Sequence, residues 1–272
     1  MRAPRCSGTP SVTASLISPF SEQERCREQC SSLRRTQAGF HRGVAGQGRW
    51  RPREVGLTDG QPAVEHLGPV RRVRSSASSR HVPVRALCST TNTALLVESG
   101  LEYELLTWLD HRRDITWVAA QPVELSWSDK VRHTPDLLSV DVRGAVTLWD
   151  ARSKERQDDD FWLKARRTAK ECERVGWGHE VFEGLSEIAG LNLRWLAGAR
   201  RAPQWLDAVR PQLLEQLADG PRTLGELMAL DDGRGFQTSC LWHLIWTQEL
   251  VVDLDHLWDQ DTVCRRGQAV GA

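Results

Sequence analysis

Hydrophobic residues follow a regular spacing only after the first 80 residues, which show no sustained period of 3.6 or 2. Leu101, Leu105 and Leu109 then recur every four residues, so one side of a helix over about 94–110 is apolar. The pattern predicts an amphipathic helix there, preceded by a long segment without regular elements.

The residues after this helix have the alternation and the turn residues of strands. Residues 116–127 predict a strand that Pro122 interrupts, followed by a short extended piece. Leu137–Val142 and Ala145–Ala151 predict two more strands, which Arg143-Gly144 joins in a tight hairpin.

A helix, a strand at Gly178–Phe182 and a second helix at Ser186–Ala199 follow the hairpin. The residues predicted to face inward are Phe161, Trp162, Ala165, Ala169 and Cys172 in the first helix, and Ile188, Leu191, Trp195 and Leu196 in the second. The α-β-β-β-α-β-α order predicts a mixed-sheet α/β domain over 90–200.

The pattern restarts after Arg200-Arg201-Ala202-Pro203 with three helices and two short strands. Their predicted positions are a helix ending before Asp219-Gly220-Pro221, helices at Leu224–Leu230 and Phe236–Gln248, and strands at Leu250–Leu254 and Leu257-Trp258. Thr223 and Glu226 have the spacing of a capping box. This order predicts a small C-terminal winged-helix domain over 204–262. We expect Trp162, Trp195, Trp242 and Trp246 in the core, because they fall on predicted apolar faces.

Charge is distributed unevenly, although the net charge is zero. Residues 1–90 contain fifteen Arg, no Lys and six acidic residues, a surplus of nine positive charges that the remainder balances. A basic arm fits contact with nucleic acid, but Arg-only composition also fits translation of GC-rich DNA from a start codon placed too early. We favour the second interpretation and expect residues 1–85 to be a disordered arm.

Composition excludes several other classes of protein. The chain has no run of about 20 apolar residues, so we expect no membrane span, and the opening lacks the apolar core of a signal peptide. The seven cysteines are scattered, and no second pair joins Cys26 and Cys30 to complete a zinc site. We expect reduced thiols and a cytoplasmic location.

Two aspartates lie at the ends of the predicted hairpin strands. Asp136 begins one strand and Asp150 ends the other, so an antiparallel pairing brings both carboxylates to one end of the sheet. Clustered carboxylates form the oxygen-rich site that Mg²⁺ prefers. The alternative is that both are ordinary turn residues. Glu102, in the preceding helix, is a candidate third ligand, with Glu98 as its rival one turn earlier.

Pro135-Asp136 followed by Asp150-Ala151-Arg152 resembles the PD-(D/E)xK nuclease signature, with Arg in place of Lys. A wider set of strings is similar to the TnsA-like endonuclease subunit of heteromeric transposases: Glu98-Ser99-Gly100-Leu101-Glu102, Leu109-Asp110, Gln121-Pro122, His133-Thr134-Pro135-Asp136 and Trp149-Asp150-Ala151-Arg152. Gly176-Trp177-Gly178 and Asn192-Leu193-Arg194-Trp195-Leu196-Ala197-Gly198 resemble the actinobacterial branch of that family. The resemblance covers about residues 90 to 260 and does not reach the arm.

The resemblance implies a restriction-endonuclease-like mixed sheet with flanking helices and a Mg²⁺-dependent DNA endonuclease, with Mn²⁺ as a substitute metal. It implies nicking at the 5′ ends of a mobile element, with a DDE-type transposase acting on the 3′ ends and an AAA-type ATPase as regulator. Glu102, Asp136 and Asp150 would hold the metal, and Gln121 would lie near the site.

Arg152 departs from the nuclease signature, because an arginine stays charged and does not act as a base. It can still bind a phosphate through two parallel hydrogen bonds. Lys154 is a second candidate for the missing lysine if the strand continues, and His133 is a candidate for contact with phosphate or with metal-bound water. Whether Arg152, Lys154 or neither supports catalysis stays open.

The third C-terminal helix, Phe236–Gln248, would be the recognition helix of a winged-helix domain, yet it contains no Lys or Arg. Contact with phosphates requires basic side chains, so we expect a protein-docking role there. Two alternatives to the nuclease remain: a non-catalytic binding module on a nuclease fold, and a transcription regulator built on the winged helix.

Overall fold

A computed structural model describes residues 13–16, 53–56, 64, 83–127 and 129–268. Two four-residue strands, β1 (Thr13–Leu16) and β2 (Arg53–Gly56), lie within the predicted arm. Most of the arm expected over 1–85, including Cys26 and Cys30, lies outside the described residues.

The remaining elements in chain order are β3 (Val84–Cys88), β4 (Thr93–Val97), α1 (Gly100–His111), β5 (Ile115–Ala120), β6 (Glu124–Ser126), β7 (Arg132–His133), β8 (Leu137–Asp141), β9 (Val146–Ala151), α2 (Asp159–Arg174), β10 (Gly178–Phe182), α3 (Glu187–Leu196), α4 (Leu206–Glu215), β11 (Arg222–Thr223), α5 (Leu224–Met228), α6 (Phe236–Trp246), β12 (Leu250–Val251) and β13 (Val263–Arg266). The chain divides into two compact units, one made of residues 1–72 and 121–134 and the other of residues 73–120 and 135–272.

The first unit contains a four-stranded sheet in the order β2-β1-β6-β7. All three neighbouring pairs in it are antiparallel. The second unit contains the sheet β10-β9-β8-β5, in which β5, β8 and β9 pair antiparallel and β10 is parallel to β9.

The α-β-β-β-α-β-α order predicted for residues 90–200 is present in the second unit as α1, β5, β8, β9, α2, β10 and α3. The mixed α/β class is therefore confirmed. The predicted hairpin is also present: Gly144 takes a positive φ of 80°, and the Asp141 carboxylate accepts hydrogen bonds from the backbone N–H groups of Arg143 and Ala145. Glycine adopts that backbone conformation without steric cost.

The start predicted for the first helix is wrong. Residues 93–97 form β4, which pairs antiparallel with β3, and the helix begins only at Gly100. Ser99 sets this boundary, because its hydroxyl accepts a hydrogen bond from the backbone N–H of Glu102 and so caps the helix. A short apolar run such as Thr93–Val97 fits a strand as well as a helix turn.

The predicted inner faces of α2 and α3 need correction. In α2 the buried residues are Phe161, Ala165, Thr168, Glu171 and Cys172, while Trp162 and Ala169 are exposed. In α3 the buried residues are Ala189, Gly190, Asn192, Leu193 and Leu196, while Leu191 and Trp195 are exposed. In both helices the wrongly assigned residues lie beside the buried stripe on the helix surface. An apolar residue at that position has the same local spacing as one within the stripe.

The C-terminal elements are three helices and a three-stranded antiparallel sheet in the order β11-β13-β12. The capping box is confirmed: Thr223 Oγ1 accepts from the N–H of Glu226, whose carboxylate accepts from the N–H of Thr223. The strand predicted at Leu257-Trp258 is absent, since β12 pairs instead with Val263–Arg266.

Two buried clusters form the core of the second unit. The first lies between α1 and the main sheet and includes Leu105, Leu109, Leu137 and Trp149. The second joins α3 to the C-terminal helices; its members include Leu193, Leu213, Leu241 and Trp246. Trp246 is therefore core, as predicted, whereas Trp242 is only half-buried. Within the described ranges, no helix has both the length and the apolar character to cross a membrane.

Candidate functional site

Asp136 lies immediately before β8 and contacts both neighbours of Asp150 on β9. Its backbone N–H donates to the carbonyl of Trp149 at 2.9 Å, and its Oδ2 accepts from the N–H of Ala151 at 2.8 Å. The structure thus places the two aspartates at the same end of adjacent strands, as the sequence predicted. Asp136 is half-buried and Asp150 is buried.

Asp150 has a partner that the sequence did not indicate. Its Oδ2 lies 2.8 Å from Nε2 of His179, and both side chains are only 4% exposed. His179 belongs to β10, where it pairs with Leu148, two residues before Asp150. Side chains two residues apart point to the same face of a sheet, which brings the imidazole onto the carboxylate. A buried carboxylate needs such a hydrogen-bond donor.

Cys172 of α2 lies close to this pair. Burial, together with the negative charges of Asp150 and Glu171, raises the pKa of the Cys172 thiol to about 12. The thiol is therefore protonated at neutral pH and cannot act as a nucleophile. Cys88, Cys240 and Cys264 are also free and buried.

Arg152 follows the last residue of β9, and its backbone N–H donates to the carbonyl of Phe182 at 2.9 Å. Its Nε donates to the carbonyl of Arg156 at 2.7 Å, and its guanidinium lies 5.6 Å from the ring centre of Phe161. These contacts hold the Nε side of the guanidinium beside α2. Two terminal nitrogens extend beyond Nε, and these are the groups that can bind a phosphate oxygen pair.

Lys154 does not continue the face of Asp150, because β9 ends at Ala151 and residues 154–156 form a 3₁₀ turn. Its ammonium lies 3.2 Å from a carboxylate oxygen of Glu183, and its side chain is largely exposed. The strand therefore does not continue to Lys154, which was the condition for Lys154 to share a strand face with Asp150.

Glu102 is a buried residue in the first turn of α1. Its Oε2 accepts from the backbone N–H of Glu98 at 2.7 Å. Glu98 precedes the N-cap Ser99, so the expectation that it shares a helix face with Glu102 is wrong. An acidic side chain in the first turn is stabilised by the helix dipole.

Gln121 and His133 belong to the first compact unit. Gln121 is buried and takes a positive φ of 47°, which few residues other than glycine adopt. His133 is half-buried and pairs in β7 with Leu125. Gln121 is thus a strained, buried polar residue directly after β5, and such strain is concentrated at functional sites.

The chemistry of the aspartate pair fits Mg²⁺, because carboxylate oxygens are the ligands this ion prefers. Among the residues that the structure describes, no group of three or more His, Cys, Asp or Glu side chains has the arrangement of a metal site. Of the three predicted ligands, Asp136 and Asp150 are the two that the described contacts bring close together.

Compared with known proteins, the chain matches no family model and no curated protein.

Proposed function

We propose that the protein is the Mg²⁺-dependent endonuclease subunit of a heteromeric transposase, cutting DNA at the 5′ ends of a mobile element. The observation that carries the proposal is the hydrogen bonding between Asp136 and the backbone on both sides of Asp150. It brings together the two acidic residues through which the sequence resembles a PD-(D/E)xK nuclease.

The order of elements supports the nuclease assignment beyond this pair. A helix, three antiparallel strands, a second helix and a parallel strand follow one another in the second unit, as expected for a restriction-endonuclease-like core. The two aspartates lie at the ends of its central strands, β8 and β9. A rigid sheet holds such a pair more precisely than a loop does.

In the proposed site Asp136, Asp150 and Glu102 would hold the metal. When bound, Mg²⁺ supplies an activated water molecule and offsets the charge that develops on the phosphate. Arg152 binds a phosphate oxygen through its terminal nitrogens and orients the scissile strand. We further assign Gln121 and His133 a role in contact with the DNA.

The C-terminal elements would serve docking. Three helices and a small antiparallel sheet, with the capping box at Thr223, support a winged-helix plan. The helix that such a domain would insert into DNA, α6, contains no Lys or Arg. We therefore assign this region to contact with a protein partner, the DDE-type transposase or its AAA-type ATPase, rather than to DNA reading.

Reconstitution tests the proposal. Purified protein is mixed with its cognate transposase, element-end DNA and Mg²⁺, and the 5′ ends are mapped at nucleotide resolution. Nicks at the 5′ ends that require Mg²⁺ and vanish with EDTA support the proposal. Intact 5′ ends, under conditions in which the transposase cuts the 3′ ends, would contradict it.

A second candidate function is a nuclease fold retained as a non-catalytic scaffold. Two observations favour it: Arg152 replaces the signature lysine, and Asp150 is buried against His179. This function predicts normal transposition by Asp136→Ala and loss of transposition by changes on the C-terminal surface. The endonuclease predicts that Asp136→Ala abolishes 5′ nicking while the 3′ reaction persists.

A further inference from the structure

Three tryptophans come together on the surface of the C-terminal region. The ring centroids of Trp195 and Trp242 lie 4.5 Å apart at nearly right angles, and Trp242 stacks on Trp258 at 5.8 Å. Trp195 is 57% exposed, which is rare for a residue that usually buries most of its area. Leu191 and Leu257 are also exposed, at 48% and 69%. We name these five residues the tryptophan surface.

The tryptophan surface is rigidly built. Leu191 and Trp195 are one helical turn apart on α3, so they lie on one face. The loop that carries Leu257 and Trp258 is fixed to α3 by Asn192, whose side-chain amide donates to the carbonyls of Leu254 and His256 at 2.9 and 2.7 Å.

Two further hydrogen bonds hold the loop. The indole N–H of Trp258 donates to the carbonyl of Asp253 at 2.7 Å, and the Ser186 hydroxyl donates to Asp255 at 2.6 Å. A preformed apolar surface binds a partner without the entropic cost of ordering its own side chains.

Acidic residues are concentrated in the loop that carries Leu257 and Trp258. Residues 235–264 contain five acidic side chains and no Lys or Arg, and the loop alone supplies Asp253, Asp255, Asp259 and Asp261. The pKa of Asp253 lies below its usual value, because the backbone N–H of Asp255 and the ring of His256 donate to its carboxylate. The cation next to the cluster in sequence, Arg194, donates its Nε to the carbonyl of Gly190 on its own helix.

We propose that the tryptophan surface docks a basic amphipathic helix of a partner protein. Its Leu or Phe side chains would pack against Trp195, Trp242 and Leu257, while its Lys or Arg side chains pair with the aspartates of the loop. Tryptophan is enriched among the residues that dominate interface energetics. Nucleic acid is the less suitable occupant, because its phosphates would face four carboxylates.

This inference deepens the docking role in the proposed function and is independent of DNA cutting. The probes are two synthetic 18-residue helices with the same leucine face, one with lysines and one with glutamates on the other face. Binding to the full chain is measured by calorimetry. We expect the lysine helix to bind, the glutamate helix not to bind, and salt to weaken the interaction.

Substitutions then locate the binding site. Trp195→Ser and Leu257→Ser should each weaken binding of the lysine helix by about tenfold or more. Asp255→Asn combined with Asp259→Asn should weaken it by a similar factor. Trp162→Ser is the matched control, because Trp162 is a partly exposed tryptophan on α2 that does not belong to the tryptophan surface. Melting temperatures verify that the exposed substitutions leave the fold intact.

Three results would overturn the inference: equal binding of both helices, binding that survives Trp195→Ser, or loss of binding in Trp162→Ser alone. Binding of an oligo-dT strand that depends on Trp195 would assign the surface to nucleic acid instead. Each of these results leaves the 5′ nicking assay unaffected, so a failed docking surface and a failed endonuclease are separate outcomes.

Discussion

His179 and Asp150 form a buried pair across two parallel strands, with 2.8 Å between Nε2 and Oδ2. The two residues are 29 positions apart in sequence, and α2 lies between them. The pair therefore joins the strand that carries the candidate ligand to the edge strand of the sheet. It fixes the direction in which the Asp150 carboxylate points, and a ligand held in this way binds metal more tightly than a mobile one.

Removal of the imidazole should destabilise the fold and misalign the carboxylate. We expect His179→Leu to lower the free energy of unfolding by about 2–3 kcal/mol, since a buried carboxylate loses its donor. His179→Gln, which keeps an N–H at a similar position, should retain most of the stability. Urea denaturation of the three proteins measures the difference. Equal midpoints for the Leu and Gln variants would show that the hydrogen bond contributes nothing.

Acid should remove a stabilising cap from α6. Hydrogen bonds from the backbone N–H groups of Thr238 and Gly235 lower the pKa of Asp231 from 3.8 to about 2. A carboxyl group whose pKa is lower in the folded state than in the unfolded state stabilises the fold at pH values above its unfolded-state pKa. This stabilisation is lost as the pH falls through the folded-state pKa. The stability difference between wild type and Asp231→Ala should thus be constant above about pH 5 and shrink between pH 4 and 2. Asp219→Ala is the control; a pH-independent difference for Asp231→Ala would refute the cap.

The described cysteines should resist modification in the folded protein. Burial raises the pKa of Cys172 and of Cys264 to about 12, and it also raises the pKa of Cys88 and of Cys240. Thiol reagents react with the thiolate, and a raised pKa lowers the fraction of thiolate that is present at pH 8. We expect mass spectrometry to find none of the four labelled by iodoacetamide in native buffer and all four labelled in urea. Rapid native labelling of Cys172 would contradict its burial beside Asp150.

A pair of leucines on α3 tests the corrected face of that helix. Leu193→Ala should cost about 2–5 kcal/mol, because Leu193 is 1% exposed and packs against the C-terminal helices. Leu191→Ala should change stability by less than about 0.5 kcal/mol, since its side chain lies at the surface. Thermal or urea unfolding of both variants gives the comparison. A larger loss of stability for Leu191→Ala than for Leu193→Ala would instead support the buried face expected from the sequence.

Local patterns predicted much of the fold and one part of the site. The hairpin of β8 and β9 follows from period-two alternation around Gly144, and that hairpin brings Asp136 to Asp150. The capping box at Thr223 likewise depends only on residues three apart. These features require no knowledge of distant contacts.

Features that depend on distant contacts were missed. His179 has no local motif, and only the parallel pairing of β10 with β9 brings it to Asp150. The sequence offered one signal: His179 is a polar residue in a predicted strand whose other inward positions are apolar. Trp195 was expected in the core because it falls on a predicted apolar face, whereas α3 turns Leu193 inward toward helices that lie later in the chain.

The most direct test of DNA cutting is 5′-end nicking by Asp136→Asn in the reconstituted reaction, compared with Glu180→Gln. Glu180 is an exposed carboxylate on β10 next to His179, so its substitution removes the same charge outside the proposed metal site. We expect a loss of at least about a hundredfold in 5′ nicking for Asp136→Asn. Glu180→Gln should cut at the wild-type rate, and the 3′ reaction should persist in both. Wild-type 5′ nicking by Asp136→Asn would contradict the endonuclease assignment.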